Sequence, residues 1–257
     1  MKVNNMMLRI VPEIHEDAFA GPIVRKYYRT AAVFNRYGIE YCCGAKWPLK
    51  MVCELKELDI GVVLSDLVQA TRIIEVHHAL PFETWKIDFL TDYIVNIHHQ
   101  FLKQSLPSLK LAVEKFVSEH ADKYPLFNQL LSAFNDLYHT MPAHLQHEEE
   151  IIFPYIRQIA HAYESKESYA GLLVRTLRKP VEALMFHEHD HIEKILEDFR
   201  ELTNGYSIPA NACTSHFLVF SLLKELDDEL VQHLFLENNV LFPRAVAMEK
   251  ELLERHA

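Results

Sequence analysis

Apolar residues recur along four stretches of the chain in alternating steps of three and four. The first stripe runs Val95, His99, Leu102, Leu106, Leu109, Val113, Phe116, and the second Leu130, Phe134, Leu137, Met141, His144, Glu148, Ile151, Tyr155. The third runs Met185, His189, Ile192, Leu196, Phe199, and the fourth Val219, Leu223, Leu226, Leu230, His233, Glu237, Val240. Such spacing keeps side chains on one face of an α-helix, and four faces of this kind predict an antiparallel four-helix bundle with its stripes turned inward. Lys123-Tyr124-Pro125 separates the first two rods, Pro180 suits the first turn of the third, and Asn204-Gly205 through Pro209 separates the third from the fourth. Pro142 should kink or open the second rod, and Pro154 and Pro243 should kink or end theirs at matching places.

Ahead of the bundle, Thr30 is expected to cap a helix that Gly38 ends. A second helix is expected around Met51 to Leu58 and a third from near Ser65 to near Ile74. Glu75 to Thr84 reads as a linker, and Asp88 as the cap of the first rod. The chain is thus expected to divide into a small helical unit, residues 1–80, and the bundle, residues 81–257. With 49% apolar residues, only 6 Gly and no alternating β pattern, the fold class is all-α.

The stripes carry chemistry as well as packing. Each holds one His in an otherwise apolar seam, and two also hold a Glu. One such His alone is more often a hydrogen-bonded core residue. The set of six differs, because a buried carboxylate without a cation costs several kcal/mol and no Lys or Arg occupies the seams beside these two. A pair of metal ions would supply the missing charge. The two Glu-bearing rods also repeat a phrase: His144-Leu145-x-x-Glu148-x-x-Ile151-Ile152-Phe153-Pro154 returns as His233-Leu234-x-x-Glu237-x-x-Val240-Leu241-Phe242-Pro243, a constant 89 residues on. Four imidazoles, two carboxylates and no thiolate suit iron, ahead of manganese or zinc. Glu148 and Glu237 are the natural bridges, with an oxo or hydroxo group balancing the remaining charge, and His99, His144, His189 and His233 the terminal ligands. Ferritin-like bundles, with Glu on every rod, fit poorly.

Other signals weigh less. His187-Glu188-x-x-His191 satisfies the H-E-x-x-H pattern of zinc proteases, but these residues point away from the seam, and a chance match is plausible in a chain with 16 His. His98 and His147 sit off the stripes, in solvated roles or behind the ligands, and Asp190 and Glu149 are candidate acceptors for ligand imidazoles. A net charge of −10 argues against nucleic acid or an anionic membrane as partner, and no apolar run is long enough to span a bilayer. Met1 to Val11 lacks the form of an export signal, so a cytoplasmic location with reduced thiols is expected. Cys42 and Cys43 are adjacent, which disfavours a disulfide between them and leaves either a turn or a reactive thiol pair; Cys53 could pair with either, and Cys213 reads as an inert core or helix-start residue.

With both motifs in view, the chain resembles the bacterial Repair of Iron Centres di-iron proteins over nearly its whole length. The small unit resembles that family's cysteine domain through Ala32-Val33-Phe34-x-x-Tyr37-Gly38-Ile39-x-Tyr41-Cys42-Cys43-Gly44, and the bundle its hemerythrin-type domain through Asp92-Tyr93-Ile94-Val95-Asn96-x-His98-His99, His144-x-x-x-Glu148-Glu149, Glu188-His189-Asp190 and His233-x-x-x-Glu237-Asn238-Asn239-Val240-Leu241-Phe242-Pro243-Arg244. The resemblance implies iron ligands at His99, His144, Glu148, His189, His233 and Glu237, and a thiol role for Cys42 and Cys43. It implies repair of iron–sulfur clusters after nitrosative or oxidative stress by iron donation or nitric oxide handling, with cluster proteins, NO and O2 as partners, and a repair or iron-donor protein rather than an ordinary enzyme. A hemerythrin-like carrier or sensor of O2 or NO is the alternative. The family's Cys-Cys-Gly-Gly reads Cys42-Cys43-Gly44-Ala45 here, and His147 stands where the family has Lys. A small unit of about 75 residues buries little surface, so docking or homodimerisation is expected.

Overall fold

The computed structural model describes residues 14–42, 46–71, 80–165 and 181–255, the side chains of 181–188 and 255 excepted. Cys43, residues 75–79 of the expected linker and Pro180 lie outside the described residues, as do the side chains of Met185, His187 and Glu188; the end of that linker, Phe82–Thr84, is one short 3-10 turn. The chain forms two compact units, one comprising Met1–Val76 with Ile208–Ser221, the other His77–Ser207 with Leu222–Ala257. Among the described residues every regular element is helical, and the sole β pairing is an isolated bridge between Phe19 and Pro48.

Among the described residues, the amino-terminal stretch of the first unit holds four short helices: α1 (Ala20–Lys26), α2 (Thr30–Arg36), α3 (Leu49–Leu55) and α4 (Ile60–Ala70). Gly38 ends α2 as expected, at φ +61°, with its N–H and that of Ile39 donating to the carbonyls of Asn35 and Phe34. Thr30 is not the cap. It lies inside the first turn, and its hydroxyl donates to the carbonyl of Tyr27. The helix expected from Ser65 begins earlier, because the Asp59 carboxylate accepts from the N–H groups of Gly61 and Val62 and caps α4.

The second unit is the bundle. Its first rod is α5 (Ile87–Tyr93), a π-helical turn (Ile94–His99) and α6 (Gln100–His120); its second is α7 (Phe127–His147), a π turn (Glu148–Ile152) and α8 (Phe153–Ser165). The third is α9 (Val181–Leu202), and the fourth is α10 (Thr214–Leu236), a π turn (Glu237–Leu241) and α11 (Phe242–Arg255), α10 entering the bundle from Leu222. Helix α6 packs on α7 and α5 on α8, so the start of one rod meets the end of the next; α7 packs on α9 and α9 on α11. Asp88 is not the cap of the first rod but lies in its first turn, paired with His161.

The π turns correct the sequence reading of the prolines and of the stripes. Pro142 sits on the exposed face of α7 without interrupting it. Pro154 and Pro243 neither end nor sharply break their rods. Each follows a π turn, whose wider winding separates the proline ring from the preceding carbonyl that lacks an N–H to bond. A π turn adds one residue to the helical count, so the inward stripe shifts by one across it. Ile151, expected inside, is 52% exposed, and Ile152 is 3% exposed. In the first rod Ile94 is fully buried and Val95 only half-buried.

This shift is testable by denaturation. Ile152→Ala should cost about 2–5 kcal/mol of stability as a core truncation, and Ile151→Ala less than about 0.5 kcal/mol. A continuous α-helix through Glu148 would reverse the order.

Candidate metal centre

The π turns carry or adjoin the polar residues of the seams. His99 closes the first, and Glu148 and Glu237 open the other two. His144 and His233 lie one turn earlier on α7 and α10, and His189 lies on α9. All six side chains are buried, the most accessible being His189 at 5%. They converge in two groups of four: His99 and His233 with both Glu, and His144 and His189 with both Glu, the donor atoms of each group lying within 4.8 Å of one another. His233 Nε2 is 3.0 Å from Glu237 Oε1, and His99 Nε2 is 3.4 Å from Glu148 Oε2. His144 Nε2 is 3.4 Å from Glu148 Oε2, while His189 Nε2 is 3.4 Å from Glu148 Oε1 and from Glu237 Oε2. Both carboxylates are therefore shared, and the imidazoles divide two and two.

Glu148 Oε2 and both carboxylate oxygens of Glu237 are buried without a hydrogen bond among the described residues. Their ion-pair partners are imidazoles; no Lys or Arg among the described residues pairs with them. Oxygen and nitrogen lone pairs aimed into a closed apolar space are a donor set for cations.

Comparison with known proteins agrees with this geometry. Residues 90–245 match the hemerythrin HHE cation binding domain, and residues 17–71 match ScdA_N, a domain of unknown function. The chain is 32% identical over 233 residues to the iron-sulfur cluster repair protein YtfE of Enterobacter sp. (strain 638), spanning 91% of this chain and 98% of that protein. It is 31% identical over 235 residues to YtfE proteins of Escherichia coli strains and of Escherichia fergusonii, at 91% and 99% coverage. The chain belongs to this hemerythrin-type repair family.

The hemerythrin HHE domain is a non-haem di-iron site, and the buried His and Glu groups of this member suit that cofactor. The internal repeat reaches beyond the six residues. Glu149 follows Glu148, and its carboxylate accepts from His99 Nδ1 at 2.8 Å. Asn238 follows Glu237, and its Oδ1 accepts from His189 Nδ1 at 2.8 Å. Phe153 stacks on His99 with ring centroids 5.6 Å apart, and Phe242 on His189 at 5.8 Å. The two copies thus each supply a His and Glu for the centre, an acceptor and an aromatic wall for an imidazole from another rod. They differ in charge: Glu149 is ionic and also accepts from Lys103 at 2.7 and 2.8 Å, whereas Asn238 is neutral.

The acceptor role of Glu149 was legible in the sequence, whereas Asn238 was passed over, although the 89-residue repeat makes it the partner position of Glu149. His98, placed off the stripe, is buried at 1% behind the centre, Nδ1 2.7 Å from Glu229 and its ring stacked 6.1 Å from His233. Asp190 is exposed and His191 pairs with Asp136 at the surface, so the described part of the zinc-protease pattern forms no site. Cys42 lies in the first unit; Cys53 is buried there, and burial pushes its thiol pKa up.

Charge balance shows in the direction of the pKa shifts. Burial opposes a charge on His189, yet its hydrogen bond to Glu148 and the charge of Glu237 carry its pKa up to about 9. His99 is raised in the same way: burial opposes, and its contacts with Glu237 and Glu148 prevail. Burial would raise Glu237, but His233, His99 and His189 hold it well below the usual carboxylate range.

A pKa raised by folding adds stability that is complete below the ordinary value of 6.5 and disappears as pH rises through about 9. The melting temperature of protein stripped by a chelator should therefore fall across that window, and that of metal-loaded protein should not. Glu149→Gln should weaken metal binding by roughly 10–100-fold in competition with a chromophoric chelator. Glu150→Gln, whose carboxylate meets only Gln146 among the described residues, should leave it unchanged.

Proposed function

We propose that the chain is a di-iron protein that restores damaged iron–sulfur clusters, with one iron held by His99 and His233, the other by His144 and His189, and Glu148 and Glu237 shared between them. The observation that carries this reading is the pair of four-residue groups with both carboxylates in common. Iron bound there would supply Lewis acidity and one-electron redox chemistry toward NO or O2. The chain's own residues orient the imidazoles through Glu149 and Asn238, and Phe153 and Phe242 keep water from two of the rings.

Donation of iron to cluster proteins, as distinct from storage, is supported by the lining of two surface depressions. One, of about 400 Å³, is lined by Glu149 and Phe153 with Val95, Pro154 and Arg157, and so reaches the residues that hold His99. The other, of about 280 Å³, is lined by Asn238, which holds His189, with Glu193, Glu197 and Arg200. An acceptor or chelator entering either one meets the hydrogen bonds that fix a ligand. No helix among the described residues is long and apolar enough to cross a membrane. The reading includes action in the cytoplasm under nitrosative or oxidative stress, a thiol contribution from Cys42 and Cys43, and a homodimer.

His144→Ala leaves the other group of four intact and should retain about half the iron, whereas Glu148→Ala or Glu237→Ala removes a donor from both groups and should lower iron further. Wild-type protein should restore activity to an enzyme whose cluster has been damaged by NO, while losing iron as it does so. Protein that keeps its iron and restores nothing would make the chain a carrier or sensor instead.

A further inference from the structure

The sulfur atoms of the first unit form a second reactive arrangement. Cys213 immediately precedes α10, and its Sγ accepts from the backbone N–H of His216 at 3.4 Å, the position of a helix cap. Ser215 Oγ, in the first turn of α10, lies 3.1 Å from Cys213 Sγ and 3.5 Å from Cys42 Sγ. The two sulfurs are separated by no more than the sum of those distances, although far apart in sequence. Both cysteines are half-buried, within reach of a small reagent, and neither is in a disulfide. Cys53 provides the contrast, at 1% exposure in α3.

The backbone around the pair is held tightly. Arg25 donates to the carbonyl of Ala212 and, at 3.4 Å, to Thr214 Oγ1. Helix α1 approaches so closely at Gly21 that a Cβ there would meet the Tyr41 carbonyl oxygen at 3.0 Å and Thr214 Oγ1 at 3.5 Å. The residues before Cys42 and after Cys213 are thus packed on one helix, which keeps the thiols together. Negative charge on the Cys213 sulfur would be met by the His216 N–H and the Ser215 hydroxyl, the surroundings in which a thiolate acts as nucleophile or leaving group.

We propose that Cys42 and Cys213 are an exchangeable dithiol whose substrate is a low-molecular-weight disulfide of the glutathione class. One protein thiolate attacks a sulfur of the small disulfide, its S–S bond breaks, and one small thiol departs with a solvent proton. The other protein sulfur then attacks the mixed disulfide, releases the second small thiol with its own proton, and closes the Cys42–Cys213 bond. Two protein thiols are oxidised and one small disulfide is reduced to two thiols. The closed form would tie the loop after α2 to the start of the rod that carries His233 and Glu237.

The test uses the full-length, iron-loaded protein, equilibrated with oxidised glutathione, quenched by alkylation and mapped by peptide mass spectrometry. Two glutathiones should be released per chain, and a peptide containing Cys42 should be joined to one containing Cys213. In Cys213→Ser, which preserves a capping hydroxyl, the reaction should stop at the mixed disulfide with a single release. Cys53→Ser should behave as wild type and Cys43→Ser should still form the Cys42–Cys213 cross-link, with circular dichroism and iron content confirming the fold of each variant. Joining of Cys42 to Cys53, loss of the cross-link in Cys43→Ser, a mixed disulfide as the end point in wild type, or no reaction would each overturn the assignment.

Discussion

Two carboxylates sealed inside a helical bundle set the terms for the rest of this structure. Burying Glu148 and Glu237 without neutralisation would cost more than the folding stability of an ordinary domain can bear. The surrounding chain answers with four imidazoles and no Lys or Arg, a combination that accepts a metal cation and can hold protons when the cation is removed. The raised pKa of His189 and the depressed one of Glu237 express the same demand for positive charge. Everything nearest the centre is arranged around it: acceptors behind two of the imidazoles, aromatic rings against their faces, and apolar rods that exclude water.

The π turns reconcile that charge cluster with helix packing. A straight α-helix repeats every 3.6 residues and cannot keep both the long apolar seam and the donor atoms in register over more than a few turns. One additional residue at Ile94–His99, Glu148–Ile152 and Glu237–Leu241 resets the rotation where the buried His and Glu side chains sit. The prolines that follow two of these turns favour the wider winding, because each removes an α-helical N–H donor at the next position.

Much of this was legible in the sequence for a physical reason. Stripe periodicity reports burial directly, and six polar residues within the stripes were anomalous enough to mark a centre. What remained hidden was local winding. Apolar side chains at Ile151 and Ile152 are chemically alike, so only coordinates tell which one faces inward. Asp59 as the start of α4 and Asn238 as an imidazole acceptor were missed for different causes. A single capping carboxylate competes with many equivalent signals, whereas Asn238 could have been found by carrying the repeat one residue past its Glu. The division of the imidazoles into two pairs depends on distances across rods, which no pattern along one chain encodes.

The fourth rod gives the chain an interleaved construction. Its helix starts among residues that belong with the amino-terminal unit and ends as the source of two donors in the bundle. The backbone thus contributes to the small unit twice. Cutting after the linker would leave the segment from Ile208 to Ser221 without the partners it folds against, including Arg25 and the loop bearing Cys42. Recombination that swapped one unit for another would have to preserve a helix start written after most of the bundle, a constraint that favours inheritance of the pair as a whole.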